Sequence, residues 1–178
     1  MASIVNIIKH EDMGQVFIKN GGVELLIESL NRNSNDLQTT YYTFLNIWLI
    51  SFLEEAYSTY LSVPKFRIIS SLTEILQKIS RDKLVRVAFY IFKNLQHNDD
   101  CLELMMDVGL LKLIDTLLKG NIKDKEVIED IKEVAQTLEL NIRVMSSFEK
   151  YCKELNSECL EWSAVHTERF WKENAIRF

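Results

Sequence analysis

The stretch Tyr41-Tyr42-Thr43-Phe44-Leu45-Asn46-Ile47-Trp48-Leu49-Ile50-Ser51-Phe52 decides the fold. Tyr41, Leu45, Trp48 and Phe52 stand at i, i+4, i+7 and i+11, the spacing of one buried helical face. The template returns 43 residues later as Leu84, Ala88, Ile91 and Leu95, and 43 residues after that as Val127, Ile131, Val134 and Leu138. These twelve residues mark the cores of three equivalent helices in a stacked repeat. Trp48 is then expected between repeats rather than at a ligand site, and its truncation to alanine to cost ~3–5 kcal/mol through the cavity left behind.

Outward from that helix, each repeat reads as a short, a medium and a long helix. In the first, residues 11–19 form the short one, with Phe17 and Ile18 inward. Asn20-Gly21-Gly22 stops it, since glycine takes the left-handed conformation cheaply. Residues 23–30 form the medium helix, and 37–53 the long one after a polar loop in which Asn35 or Asp36 can cap it. In the second, 54–63 is short, Pro64 suits the first turn of a helix reaching Lys78, and Asp82 can cap the long helix to Gln96. In the third, 101–107 is short, Gly109 breaks the chain, and 125–141 is long. Residues 23–30 (Val-Glu-Leu-Leu-Ile-Glu-Ser-Leu) align with 110–117 (Leu-Leu-Lys-Leu-Ile-Asp-Thr-Leu).

A three-helix unit of about 43 residues lies in the armadillo/HEAT range. The fold class expected is all-α: a right-handed α-α superhelix of about three armadillo/HEAT-like units. No unit can bury its apolar face alone, so stability is a sum of interfaces between neighbours. Residues 3–9 read as the end of a further helix, which suggests repeats upstream. Residues 1–145 form the expected repeat domain. From about Ser146 the period fails; 148–160 still reads as a helix, and 146–178 as a connector opening a truncated C-terminal domain.

Composition agrees. Of 178 residues 47% are hydrophobic, with one proline and five glycines, which suits long helices rather than a β-sandwich. Net charge is −5 with acids and bases interleaved, so the basic patch of a nucleic-acid binder is missing. Cys101, Cys152 and Cys159 are an odd, scattered set that implies no disulfide framework. The N-terminus does not read as a signal peptide. The longest apolar run, Phe44 to Leu53, is half the ~20 residues a bilayer requires, so no membrane insertion is expected.

The chemistry of an enzyme is not legible. Gly21-Gly22 lacks the lysine and hydroxyl residue of a nucleotide loop. Only His10, His97 and His166 could serve a catalytic site, and nothing marks one. Cys152, Cys159 and His166 are each seven apart, whereas zinc wants closer pairs and usually four ligands. Paired acids such as Glu54-Glu55 and Asp99-Asp100 read as solvated surface or helix N-terminal charge. No catalytic residue, cofactor or metal is therefore expected. Trp162, Phe170 and Trp171 fall outside the period; they suit either a small local core or a partner contact.

The segment from Ser147 resembles the H subunit of the vacuolar-type proton-pumping ATPase. The resemblance rests on Ser147-Phe148, Tyr151-Cys152, Cys159-Leu160-Glu161-Trp162-Ser163, Val165-His166 and Phe170-Trp171-Lys172-Glu173-Asn174-Ala175. That family has such a run at the junction between its helical-repeat and C-terminal domains, usually with proline where Ala164 stands. Upstream, Ile47-Trp48-Leu49-Ile50-Ser51-Phe52 and Lys93-Asn94-Leu95 are similar to its helices. The resemblance covers essentially the whole chain but only the middle of the family, as for a fragment or a short form.

It implies a non-catalytic regulatory subunit, peripheral on the cytosolic face of vacuolar or endomembranes. Such a protein bridges the ATP-hydrolysing and proton-conducting sectors. The implied partners are the E and G subunits of the peripheral stalk, through the repeat groove, and the membrane-sector a subunit. Trp162, His166, Phe170, Trp171 and Asn174 become candidate interdomain or partner contacts. The alternative is an armadillo-type adaptor for extended peptides, as nuclear import receptors are. Those repeat Trp and Asn along their third helices; here the aligned positions are Trp48, Ile91 and Val134, and Asn46 and Asn94 are out of register.

Overall fold

The computed structural model describes residues 1–33, 36–53, 68–79, 81–120 and 122–156. The chain divides into two compact units, Met1–Glu139 and Leu140–Phe178, and the packing below is that of the first. The described residues are helical, with no strand among them: α1 (Ala2–Ile8), α2 (Glu11–Lys19), α3 (Gly22–Asn33), α4 (Leu37–Ile50), α5 (Ile68–Lys78), α6 (Asp82–Leu95), α7 (Asp99–Asp107), α8 (Leu110–Lys119) and α9 (Lys125–Asn156).

Local chemistry sets the ends. Asp36 caps α4, accepting from the Gln38 N–H at 3.0 Å and the Thr39 hydroxyl at 2.5 Å. Asn98 caps α7 by accepting from the Cys101 N–H at 3.1 Å. Asp82 is not the cap of α6: Arg81 holds that position without a side-chain bond, and Asp82 supplies negative charge to the first turn instead. Between α2 and α3, Gly21 takes φ +79°, and between α7 and α8, Gly109 takes φ +71°, both in the left-handed region glycine tolerates. The helices expected at 125–141 and 148–160 are continuous as far as Asn156. The linking residues, Asn141 to Ser147, contain neither glycine nor proline to break them. The short helix at 54–63 and the Pro64 turn lie outside the described residues.

Helices at equivalent places in the sequence pack on one another. Among the long helices α4 packs on α6, and the seven-residue α1 also packs on α4; among the medium ones, α3 packs on α5 and α5 on α8. Leu84, Ala88, Ile91 and Leu95 of α6, and Val127, Ile131, Val134 and Leu138 of α9, are buried.

The core stripe of α4 differs from the one its sequence suggests. Phe44, Ile47 and Ile50 are fully buried, with Thr40, Thr43 and Asn46 beside them. Tyr41, Leu45 and Trp48 are only half-buried and pack against the edge of the core. Phe52 is not a core residue at all, being 62% exposed. The helix stops at Ile50, where the Ser51 hydroxyl donates to the Trp48 carbonyl at 2.7 Å, so the i+11 position no longer continues the stripe. The rotation has a cause. α4 is apolar nearly all round, so two stripes compete for the core. The winning stripe carries small polar groups with partners within reach. Thr43 donates to the Thr39 carbonyl at 2.8 Å and lies 3.3 Å from the Ser29 hydroxyl. The Asn46 amide donates to the Tyr42 carbonyl at 2.7 Å and to the Met1 carbonyl at 3.3 Å.

Candidate interaction surface

Rotating α4 this way leaves its larger aromatics at the surface. The Trp48 ring stands 5.5 Å from Phe52, edge-on, and 5.9 Å from Tyr90 of α6 at 38°. These three rings form a ridge across α4 and α6, where the apolar body of each meets solvent at one edge.

The same face of α6 carries two cations, each answered by acids of the α9 segment. Arg86 pairs with Asp124 and lies 3.9 Å from Glu126. Lys93 reaches Asp130 at 2.8 Å and Glu133 at 2.7 Å. The hydrogen bonds to Asp130 and then Glu133 raise the Lys93 ammonium above the ordinary lysine value. Arg86, Tyr90 and Lys93 stand at i, i+4 and i+7, as do Glu126, Asp130 and Glu133. The surface therefore grades from aromatic on α4, through aromatic and basic on α6, to acidic on α9.

Two open clefts adjoin the stack. One of about 730 Å³, lined by Leu37, Tyr41, Arg81 and Leu84, lies at the beginnings of α4 and α6. Another of about 550 Å³ lies between α5 and α8, with Leu76, Leu113 and Leu117 in its wall. The first also has Asp82 and Lys83 in its wall, and the second Lys112. Among the described residues no cluster of His, Cys, Asp and Glu could hold a metal, and no helix is long and apolar enough to cross a membrane.

The contacts expected at Trp162, His166, Phe170, Trp171 and Asn174 lie outside the described residues, as does Cys159. Within them, sequence spacing alone puts Trp48 in the core and does not single out Tyr90, Lys93, Asp130 or Glu133. A signal for them is nonetheless present: two stripes of the same i, i+4, i+7 spacing, Arg86, Tyr90 and Lys93 on one long helix and the acids Glu126, Asp130 and Glu133 on the next.

The family model for the V-ATPase H subunit matches this chain in two parts, its N-terminal domain over residues 1–138 and its C-terminal domain over residues 144–178. The chain belongs to the V-ATPase H-subunit family. It is 30% identical over 154 residues to the V-type proton ATPase H subunit of Dictyostelium discoideum, covering 86% of this chain and 34% of that protein. It is 29% identical over 181 residues to a probable V-type proton ATPase H subunit of Oryza sativa, covering all of this chain and 39% of that protein. A third relative, a probable V-type proton ATPase H subunit of Caenorhabditis elegans, is 27% identical over 179 residues, 96% of this chain and 37% of its own length. The chain thus spans little more than a third of these relatives.

Proposed function

We propose that this H-subunit segment is a non-catalytic, load-bearing part of a vacuolar-type rotary proton pump, and that its repeat region holds the peripheral stalk. The family match over residues 1–138 carries the reading. In the proposed assembly, helices α2 to α9 form three armadillo/HEAT-like units of a right-handed superhelix. The long helices α4, α6 and α9 offer their exposed face to the E and G subunits of the stalk. The region from residue 146 leads toward the membrane-sector a subunit, with Trp162, His166, Phe170, Trp171 and Asn174 as contacts. The protein then works from the cytosolic face of an endomembrane and contributes to coupling ATP hydrolysis to proton transport. Silencing of hydrolysis is not assigned to these residues, because most of the relatives' length lies outside them.

The peptide-adaptor reading fares worse on a specific point. Such grooves use repeated Trp and Asn side chains to hold an extended backbone. Here the Asn46 amide is engaged within the chain by Tyr42 and Met1, and that of Asn94 by Ser51.

Affinity purification of the tagged chain from its source cell in mild detergent tests the reading. Recovery of pump stalk subunits is the expected result. Nuclear-transport partners in their place, with no pump subunit, would overturn it.

A further inference from the structure

The medium helices meet in pairs, and the two meetings differ. Between α3 and α5 the cleft is only about 100 Å³, with Asn31, Ser71, Glu74 and Lys78 among its lining residues. Between α5 and α8 it opens to about 550 Å³, inside the range of small-molecule sites. Part of the cause is the end of α8. The helix stops at Lys119, and Gly120 is extended at φ −79° and ψ −171°. No further turn covers the cleft there, and Gly120 and Ile122 line that end instead. The floor is apolar: Leu76, Leu113 and Leu117 are core residues that reach the cleft. Among the described residues lining it, Lys112 is the one that carries a charge, with Gln77 and Thr116 neutral beside it. Lys112 is exposed and makes no ion pair among the described residues. The Thr116 hydroxyl donates to the Lys112 carbonyl at 3.0 Å, so its proton is engaged within α8.

We infer that the cleft between α5 and α8 binds a small amphiphile with a single anionic group, its unbranched apolar body along Leu113 and Leu117 and its carboxylate on Lys112. Charge complementarity selects the head group. The exposed charged residues of the two helices are Glu74, Lys78, Lys112, Asp115 and Lys119, three lysines against two acids. Lys123 and Asp124, which follow Ile122, are opposite in sign. One positive charge is therefore in excess, and within the cleft wall it is that of Lys112. A cationic head would face that ammonium. A carboxylate meets it at an exposed position and so avoids the cost of burying an anion. Length follows from the helix. From Lys112 to Lys119 α8 rises roughly 10 Å, room for one short acyl chain laid along it. Such a ligand touches both α5 and α8 and joins them. It sits on helices other than those of the Trp48–Tyr90 ridge.

The test titrates the full chain with three probes that share a decyl-length chain and differ in head group: decanoate, decanol and decylammonium. Calorimetry should show decanoate binding about fivefold more tightly than decanol, as one exposed ion pair allows, and decylammonium most weakly. The preference for decanoate should shrink with added salt. Lys112→Gln changes an exposed side chain and should erase that preference without shifting the melting temperature. Thr116→Phe places a ring in the cleft from an exposed position and should weaken all three probes about tenfold. Equal binding of the three probes, or binding of none, would overturn the inference. So would a preference that survives Lys112→Gln, or decanoate binding untouched by Thr116→Phe, since either puts the amphiphile elsewhere on the chain. Phosphatidylserine vesicles, with phosphatidylcholine vesicles as control, separate a lipid surface from a free amphiphile. Sedimentation with the anionic vesicles alone, while decanoate does not bind, would also overturn it.

Discussion

The Asn94 amide of α6 donates to the Ser51 hydroxyl at 2.8 Å, joining side chains 43 residues apart. The Ser51 hydroxyl in turn donates a hydrogen bond to the Trp48 carbonyl at 2.7 Å. One buried hydroxyl thus ends a helix and fastens the next long helix to it. Replacing Asn94 by alanine should cost ~1 kcal/mol, the net value of such a bond. Ser51→Ala should cost ~1–2 kcal/mol, since it also orphans the Asn94 donor in a partly buried place. Urea denaturation of the two variants and their combination should show sub-additive losses, because both act on one chain of bonds.

Truncating Phe44 and Trp48, two of the four aromatics of α4, should separate core from surface. Phe44→Ala removes a fully buried ring and should cost ~3–5 kcal/mol. Trp48→Ala removes a half-buried ring with two aromatic neighbours, and should cost ~1–2 kcal/mol. Thermal unfolding followed by calorimetry gives both numbers; equal losses would place Trp48 back in the core.

Lys93 ties α6 to α9, and the bond should be visible in the pH dependence of stability. Its ammonium is raised above the unfolded value of about 10.4 by Asp130 and Glu133. A raised folded value means the contribution is complete below that pH and drains away as the pH climbs toward the folded value. Comparing wild type with Lys93→Gln, the stability gap should be flat from neutral pH to about 10 and then narrow. A double-mutant cycle with Asp130→Asn should give a coupling of ~0.5–1 kcal/mol, smaller at high salt.

Cys101 is buried, and burial first, then the nearby Asp100 charge, pushes its thiol up to about 11. Its thiolate is scarce at neutral pH, so alkylation by iodoacetamide should be slow in the native chain and fast in urea. Peptide mapping by mass spectrometry reads this residue apart from Cys152 and Cys159. The sign for stability follows: the contribution holds below the unfolded value of about 8.5 and is lost as pH rises through about 11.

Gly109 sits at φ +71° with open space around the position of a β-carbon. Gly109→Ala should therefore cost ~1 kcal/mol from backbone alone, and Gly109→Asn distinctly less, as asparagine tolerates that region. Gly22 is different in kind. A β-carbon there would meet the Phe17 ring at 2.3 Å, so Gly22→Ala should disturb packing between α2 and α3. Urea denaturation of the three variants ranks them.

How much of this was written in the sequence depends on the helix. α6 buries Leu84, Ala88, Ile91 and Leu95, with Val85, Val87, Phe89 and Phe92 beside them, and α9 buries Val127, Ile131, Val134 and Leu138. α4 defeats the same reasoning. With Tyr41, Leu45 and Trp48 on one side and Phe44, Ile47 and Ile50 on another, hydrophobicity does not rank the two faces. The choice lies with Ser29, Met1 and Asn94, whose positions only the tertiary structure supplies. The candidate surface was legible only in part for the same reason. Tyr90 and Lys93 look like ordinary outer positions of α6 until α4 and α9 are set beside them.

Thr40, Thr43 and Asn46 carry one more consequence. They put hydroxyl and amide groups on the buried side of α4 beside Phe44, Ile47 and Ile50, so the helix is keyed by polar bonds as well as by apolar packing. Converting all three to leucine would give a chain with more apolar surface to hide and no reason to prefer one rotation of α4 over the other. Such a chain could gain cohesion and lose its identity: the rings of Trp48 and Tyr41 would compete for the interior, and the outward-facing ridge would become one arrangement among several.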